Sequence, residues 1–151
     1  MAQIHQFCTF YLDKLMFGVE LEKVQEVIRY LEITEIPLAP RVVSGLMNLR
    51  GQIVTGIDLR RRLDLSDRPE DAQPMNVVIR TTDGAVSLLV DAIGDVVEVT
   101  EESFERPPET LQGNVRDVLL GVHKLDKQLM HVLNTEKACE TADRVTSRAT
   151  P

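Results

Sequence analysis

The chain has 151 residues, 43% of them hydrophobic and 27% charged, and a formal net charge of −7. That composition supports one folded domain, or two very small ones sharing a core, and its acidity argues against the two partners that demand a basic field: nucleic-acid phosphates and an anionic membrane surface. Aromatics are only 4%, with no Trp, so the core falls to Val, Ile and Leu, which suit a pleated sheet.

The N-terminal "MAQIHQFCTFYLDKL" has neither a basic n-region nor a long apolar h-region, so it does not read as a signal peptide. No apolar run approaches the ~18 residues of a spanning helix, and a cytoplasmic protein is expected. "FCTFYL" and "MFGVEL" read as strands separated by a turn at Asp13-Lys14. "LEKVQEVIRYLEI" fits a helical stripe at Leu21, Val24, Ile28 and Leu31, or a strand. The reading adopted is a turn at Glu22-Lys23 and a strand from Val24, because Ile33 to Pro37 continues in β-rich sequence. "GQIVTGIDL" is the next strand, and Asp64 to Pro74 the natural connector. "MNVVIRTT" and "GAVSLLVD" form a hairpin around Asp83-Gly84. "EESFERPPETLQGNVRD" reads as a surface loop and "KQLMHVLN" as the last strand. The tail "TEKACETADRVTSRATP" lacks long apolar residues for a closing helix, and residues 140–151 are expected to be disordered.

Laid over each other, the halves match. Phe10 falls on Ile79, Phe17 on Val86, Val19 on Leu88, Leu21 on Val90 and "KVQEV" on "AIGDV", with no gap. After a longer linker in the second half, Gly45 falls on Gly121, Leu49 on Leu125, Gln52 on Gln128, Ile53 on Leu129 and Asp58 on Asn134. The predicted fold is all-β: two tandem antiparallel barrels packed side by side, approximately 7–72 and 73–139, with the N-terminal strand open to exchange between them. The paired glycines point to a backbone demand. At Arg50 and Gly51, however, the second copy has Asp126 and Lys127. Something particular to the first half needs that Arg-Gly.

Local chemistry is sparse. Gly45 to Gly51 is followed by Gln52 rather than Lys and leads into a strand, so it is no phosphate loop. The histidines, His5, His123 and His131, have no ligand partners at helical spacing and read as surface or rim residues. Cys8 and Cys139 form no metal spacing, are too few for a disulfide framework, and lack an activating base. No nucleophile elbow or isolated carboxylate pair appears. Arg60, Arg61 and Arg62, flanked by Asp58, Asp64 and Asp67, read as a solvated, self-neutralised turn. Asp91, Asp95, Glu98, Glu101, Glu102, Glu105 and Glu109 read as a solvated acidic face. No enzyme, cofactor or metal is expected; the profile is that of a binding module offering grooves and sheet edges. Its rival is a small-barrel nucleic-acid binder, against which acidity and scarce aromatics both weigh.

"FGVELEKVQEVIR" (Phe17 to Arg29) and "SGLMNLRGQIVTGIDLRRRL" (Ser44 to Leu63) resemble the CheW family of chemotaxis coupling proteins. The likeness continues through "SLLVDAIGDVVEV" and "LLGVHKLDKQLMHVLN" and covers about Phe7 to Lys137. It implies two SH3-like barrels in a non-enzymatic adaptor. The partners it implies are a CheA-type histidine kinase, through that kinase's CheW-like regulatory domain, and the cytoplasmic hairpin tips of methyl-accepting chemoreceptors. A cytoplasmic protein recruited to membrane receptor arrays follows, or the same role in a pilus or gliding pathway. By resemblance, Glu26 and Arg50 form a salt bridge beside the receptor groove. Val24 and Val27 are apolar groove positions, Gly45 a receptor-coupling position, and Asn48, Leu49 and Gly51 complete the motif. Three residues apart on a strand, Val24 and Val27 could also face opposite ways, one of them into the core.

Overall fold

In the computed structural model, residues 3–107, 109 and 114–140 are described. The tail expected to be disordered therefore lies, apart from Glu140, outside them. β1 (Ile4–Leu12) and β2 (Leu15–Glu20) form a hairpin that turns at Asp13, with φ of 55°. A single 3-10 turn, Leu21–Lys23, precedes β3 (Val24–Ile28), as the strand reading required. Of Ile33 to Pro37 only Thr34 pairs, in an isolated bridge to Leu46. β4 (Val43–Leu49), β5 (Gln52–Asp58) and the one-turn helix α1 (Leu59–Arg62) follow.

The second half begins with β6 (Met75–Thr81), β7 (Gly84–Val90) and β8 (Ala92–Thr100). The segment expected to be loop carries a 3-10 turn at Glu101–Ser103, a two-residue strand β9 (Phe104–Glu105) and the short helix α2 (Asn114–Asp117). β10 (Leu119–Lys124), β11 (Leu129–Leu133) and α3 (Thr135–Ala138) complete the described chain.

The strands make two sheets of one design. Barrel one has the order β3-β6-β7-β5-β4, and barrel two β8-β1-β2-β11-β10 with β9 added at the edge. Substituting each strand by its repeat counterpart converts one order into the other. Register agrees as well. Phe10 pairs with Phe17 as Ile79 pairs with Val86, and Gly45 with Gly56 as Gly121 pairs with Val132. Even the caps repeat: the Asp58 side chain accepts from the Arg61 amide, and that of Asn134 from the Lys137 amide.

Neither sheet coincides with 7–72 or 73–139. Barrel one takes β6 and β7 from the second half; barrel two takes β1 and β2 from the first. A whole hairpin is exchanged, not one strand. The largest core consequently lies between the sheets, joining Phe10, Phe17 and Val19 to Ile57, Ile79 and Leu88, each worth about 1.5–3 kcal/mol on burial. Smaller equivalent clusters fill the barrels: Leu49, Val54 and Val78 in one; Phe7, Met16, Met130 and Val132 in the other.

The paired glycines have a common cause. A Cβ on Gly45 would collide with the carbonyl oxygen of Thr34, and one on Gly121 with the Phe104 ring and the Glu105 carbonyl. In each barrel the segment after the third strand crosses hard against the fourth, and only glycine leaves room. His123 and His131, expected at the surface, are 3% and 8% exposed. Each satisfies a ring nitrogen: His131 Nδ1 lies 2.9 Å from the Met16 carbonyl, and His123 Nδ1 2.8 Å from Ser103 Oγ.

Candidate functional site

Arg50 and Gly51 are the two central residues of the β4–β5 turn, with φ of 53° and 88°. Positive φ at both is the pattern of a type I′ hairpin, which matches the twist of paired strands. Gly51 adopts it freely, and a Cβ there would meet nothing within 4 Å; the glycine serves φ alone. Asn48 Oδ1 accepts the Gly51 amide at 2.8 Å and fixes the loop. Arginine is a costly occupant of the left-handed region, by about 1–2 kcal/mol, so its side chain must serve something else.

It reaches Glu26. Arg50 Nη1 donates to Glu26 Oε2 at 2.5 Å. The β3 bulge between Val24 and Glu26 re-aims the glutamate. The hydrogen bond from Arg50 is the main reason the Glu26 carboxyl sits below its ordinary pKa; the guanidinium charge adds to it, and partial burial opposes it. β3 and β4 are the two ends of the barrel-one order, so the pair ties one edge to the turn beyond the other. With the guanidinium side chain 73% exposed, the pair is water-screened and its contribution is orientation rather than stability.

The other sequence-predicted residues divide. Val24 is half-buried, packed against the main core on one side, and Val27, on the same strand, is exposed. Leu49 is buried inside barrel one, and Gly45 is buried beneath Thr34. Glu26, Val27, Asn48, Arg50 and Gly51, with the half-buried Val24, are what the region offers to a partner. Sequence reasoning overlooked Ile53, paired with Asn48 and 62% exposed. The signal was there: Ile53 and Val54 are consecutive on a strand, so one must point outward.

In the arginine run, Arg61 is neutralised by its neighbours Asp58 and Asp67, at 3.7 and 3.2 Å, as expected, but Arg60 is not solvated. Arg60 is buried, and Arg60 and Arg68 both hydrogen-bond the Asp91 carboxylate, at 2.5–3.1 Å and 3.0 Å. The Asp13 amide donates to the same group at 2.7 Å, and Asp58 lies 3.7 Å from Arg68. Burial works to raise the Asp91 pKa, but the Arg60 and Asp13 hydrogen bonds and the two arginine charges outweigh it, leaving the pKa lowered. This cluster straps the 64–74 connector across both barrels. Among the described residues, no three His, Cys, Asp or Glu side chains gather as a metal site; what the surface offers is ion pairing and apolar contact.

Comparison with known proteins agrees with the two-sheet fold. Residues 6–143 match the CheW-like domain family. A Klebsiella aerogenes protein named "Chemotaxis protein CheW" is 30% identical over 132 residues, covering 87% of this chain and 80% of that one. The Thermotoga maritima protein of the same name is 30% identical, covering 87% and 85%. The crystal structure of "scaffolding protein TtCheW" from Thermoanaerobacter tengcongensis superposes with a TM-score of 0.79 at 27% identity, covering 87% of this chain and 89% of that chain.

Proposed function

The chain belongs to the CheW-like domain family, a family of scaffolds rather than enzymes, and from that we propose that it couples a CheA-type histidine kinase to methyl-accepting chemoreceptors. The kinase engages through its own CheW-like regulatory domain. The receptor engages through the cytoplasmic tip of its helical hairpin, beside Glu26 and Arg50. The protein works in the cytoplasm and reaches the membrane array through these partners; no helix among the described residues is long and apolar enough to cross a membrane.

The observation that carries this reading is an arginine kept at φ 53°, a position that favours glycine or asparagine, with its head group on Glu26 and exposed Val27 and Ile53 nearby in the chain. Local folding alone does not ask for it. An amphipathic helix supplies apolar residues at i, i+3 and i+4 for such a surface.

The test is a pull-down of ternary complex with a kinase regulatory domain and a receptor cytoplasmic fragment. Arg50→Asn suits the turn while deleting the charge, and Glu26→Gln deletes its partner. Each is expected to reduce receptor retention by about tenfold or more with the unfolding midpoint little changed. Native-level retention by both variants would refute the assignment of this surface.

A further inference from the structure

The two barrels have equivalent mouths, each floored by buried side chains but different at the rim, where barrel two has the half-buried Glu20. In barrel one, Asn76, Leu89 and Met47 close the opening and are 1%, 2% and 1% exposed; Met47 and Leu89 crowd so close to Gly56 that it has no space for a Cβ. Barrel two has Phe7, Glu20 and His123 in those positions, and the pairing is conserved: Asn76 opposes Leu89 as Phe7 opposes Glu20. A carboxylate and an imidazole thus replace two apolar plugs.

The mouth stays open as a cleft of about 390 Å³ with Phe7, Phe104, Leu120 and Val132 as apolar walls and Glu20 and Glu101 at the rim. It adjoins a second cleft of about 500 Å³ that shares Glu20 and adds Glu22. No lysine or arginine lines either one. Glu101 has His5 at 3.4 Å. Among the described residues Glu20 and Glu22 make no ion pair, and Arg80 reaches only the Glu22 backbone carbonyl. His123 sits between the Phe7 and Phe104 rings, at 5.5 and 5.2 Å; burial, with His5 nearby, lowers its pKa, so it brings no compensating charge at neutral pH.

We propose that this open mouth docks a basic segment of a protein partner, with an arginine or lysine held by Glu20 and Glu101 and a neighbouring apolar side chain seated on Phe104 and Leu120. Charge complementarity selects the cation, because two carboxylates, Glu20 and Glu101, line a cleft that has no lysine or arginine. The aromatic walls favour guanidinium over simple amines. Phe104 and Leu120 are 42% and 45% exposed, an apolar platform that a lone cation would leave uncovered. The site lies on the other barrel from Glu26 and Arg50 and does not depend on the receptor reading.

The experiment is an amide chemical-shift titration of the full-length chain with acetylated, amidated Leu-Arg-Leu-Arg-Leu, with Leu-Glu-Leu-Glu-Leu and arginine amide as controls. The expected result is saturable shifts confined to β1, the Glu20 end of β2, β10, Val132 and residues 101–105 for the basic peptide alone. A Glu20→Gln, Glu101→Gln double variant should bind about tenfold or more weakly, and Leu120→Lys, an exposed change that brings an ammonium to the rim, should block binding. Unchanged spectra elsewhere would verify the fold of both variants. Equal shifts from arginine amide would overturn the segment in favour of a simple cation pocket. Shifts spread over the acidic surface and lost by about 150 mM salt, or no saturable shift at all, would overturn the site.

Discussion

Barrel one and barrel two share strand order, register, caps and the glycine under the crossing segment, yet diverge at three places. Where barrel one has Glu26 and Arg50, barrel two has Asp95 and Asp126, two exposed carboxylates unable to pair. Where barrel one contributes Arg60 to the Asp91 cluster, the matching residue after β11 is Glu136. Where the buried Leu89 seals one mouth, the half-buried Glu20 stands at the rim of a cleft in the other. Duplication explains what is common; the departures mark what each half does alone. Shared features are shape, and unshared ones are charge.

The largest test of that division is the strap. Asp91→Asn leaves Arg60 and Arg68 facing each other with half their compensation, and is expected to cost about 3 kcal/mol in urea unfolding. Its pH signature follows from the lowered Asp91 pKa. The native stabilisation is complete above the unfolded-state value of about 3.9 and is lost as pH falls through the lower folded value. The variant should lack that acid limb, and an unchanged limb would show that the strap carries no stability. Next come the crossings. Gly45→Ala and Gly121→Ala are each expected to cost about 1–3 kcal/mol by overpacking. Gly45→Ala should be the worse, because only Gly45 has positive φ, 150°. Equal costs would mean that the contact, not the dihedral, dominates. The smallest effect belongs to Asp126→Arg, which writes the barrel-one pair into barrel two opposite Asp95. The unfolding midpoint should hardly move, and receptor retention should not change; a gain in retention would show that the charge pair alone, without the surrounding surface, suffices.

Much of this was legible beforehand. The hairpins at Asp13-Lys14 and Asp83-Gly84, the strand from Val24, and the residue-by-residue match of the halves were all readable, because a turn and an alternating strand are decided by neighbours in the chain. The resemblance supplied the Glu26–Arg50 pair, and in the fold those side chains are in contact. The packing of Val24 against the core and of Gly45 under Thr34 was not readable, since a bulge and a crossing strand are visible only once the sheet exists. His123 and His131 were misplaced because burial depends on which strand lies opposite.

The order of apolar positions and turns, taken by itself, determined two copies of one β unit and an unmatched Arg-Gly between β4 and β5. Only the tertiary structure decided that β1 and β2 pair with the far half. The hydrophobic pattern says which face is buried but not against which partner, and the two hairpins are interchangeable on that count. The same applies to Arg60 and Asp91, which are distant in sequence: a charge that looks solvated along the chain becomes a buried clasp when folding brings its counter-ions around it.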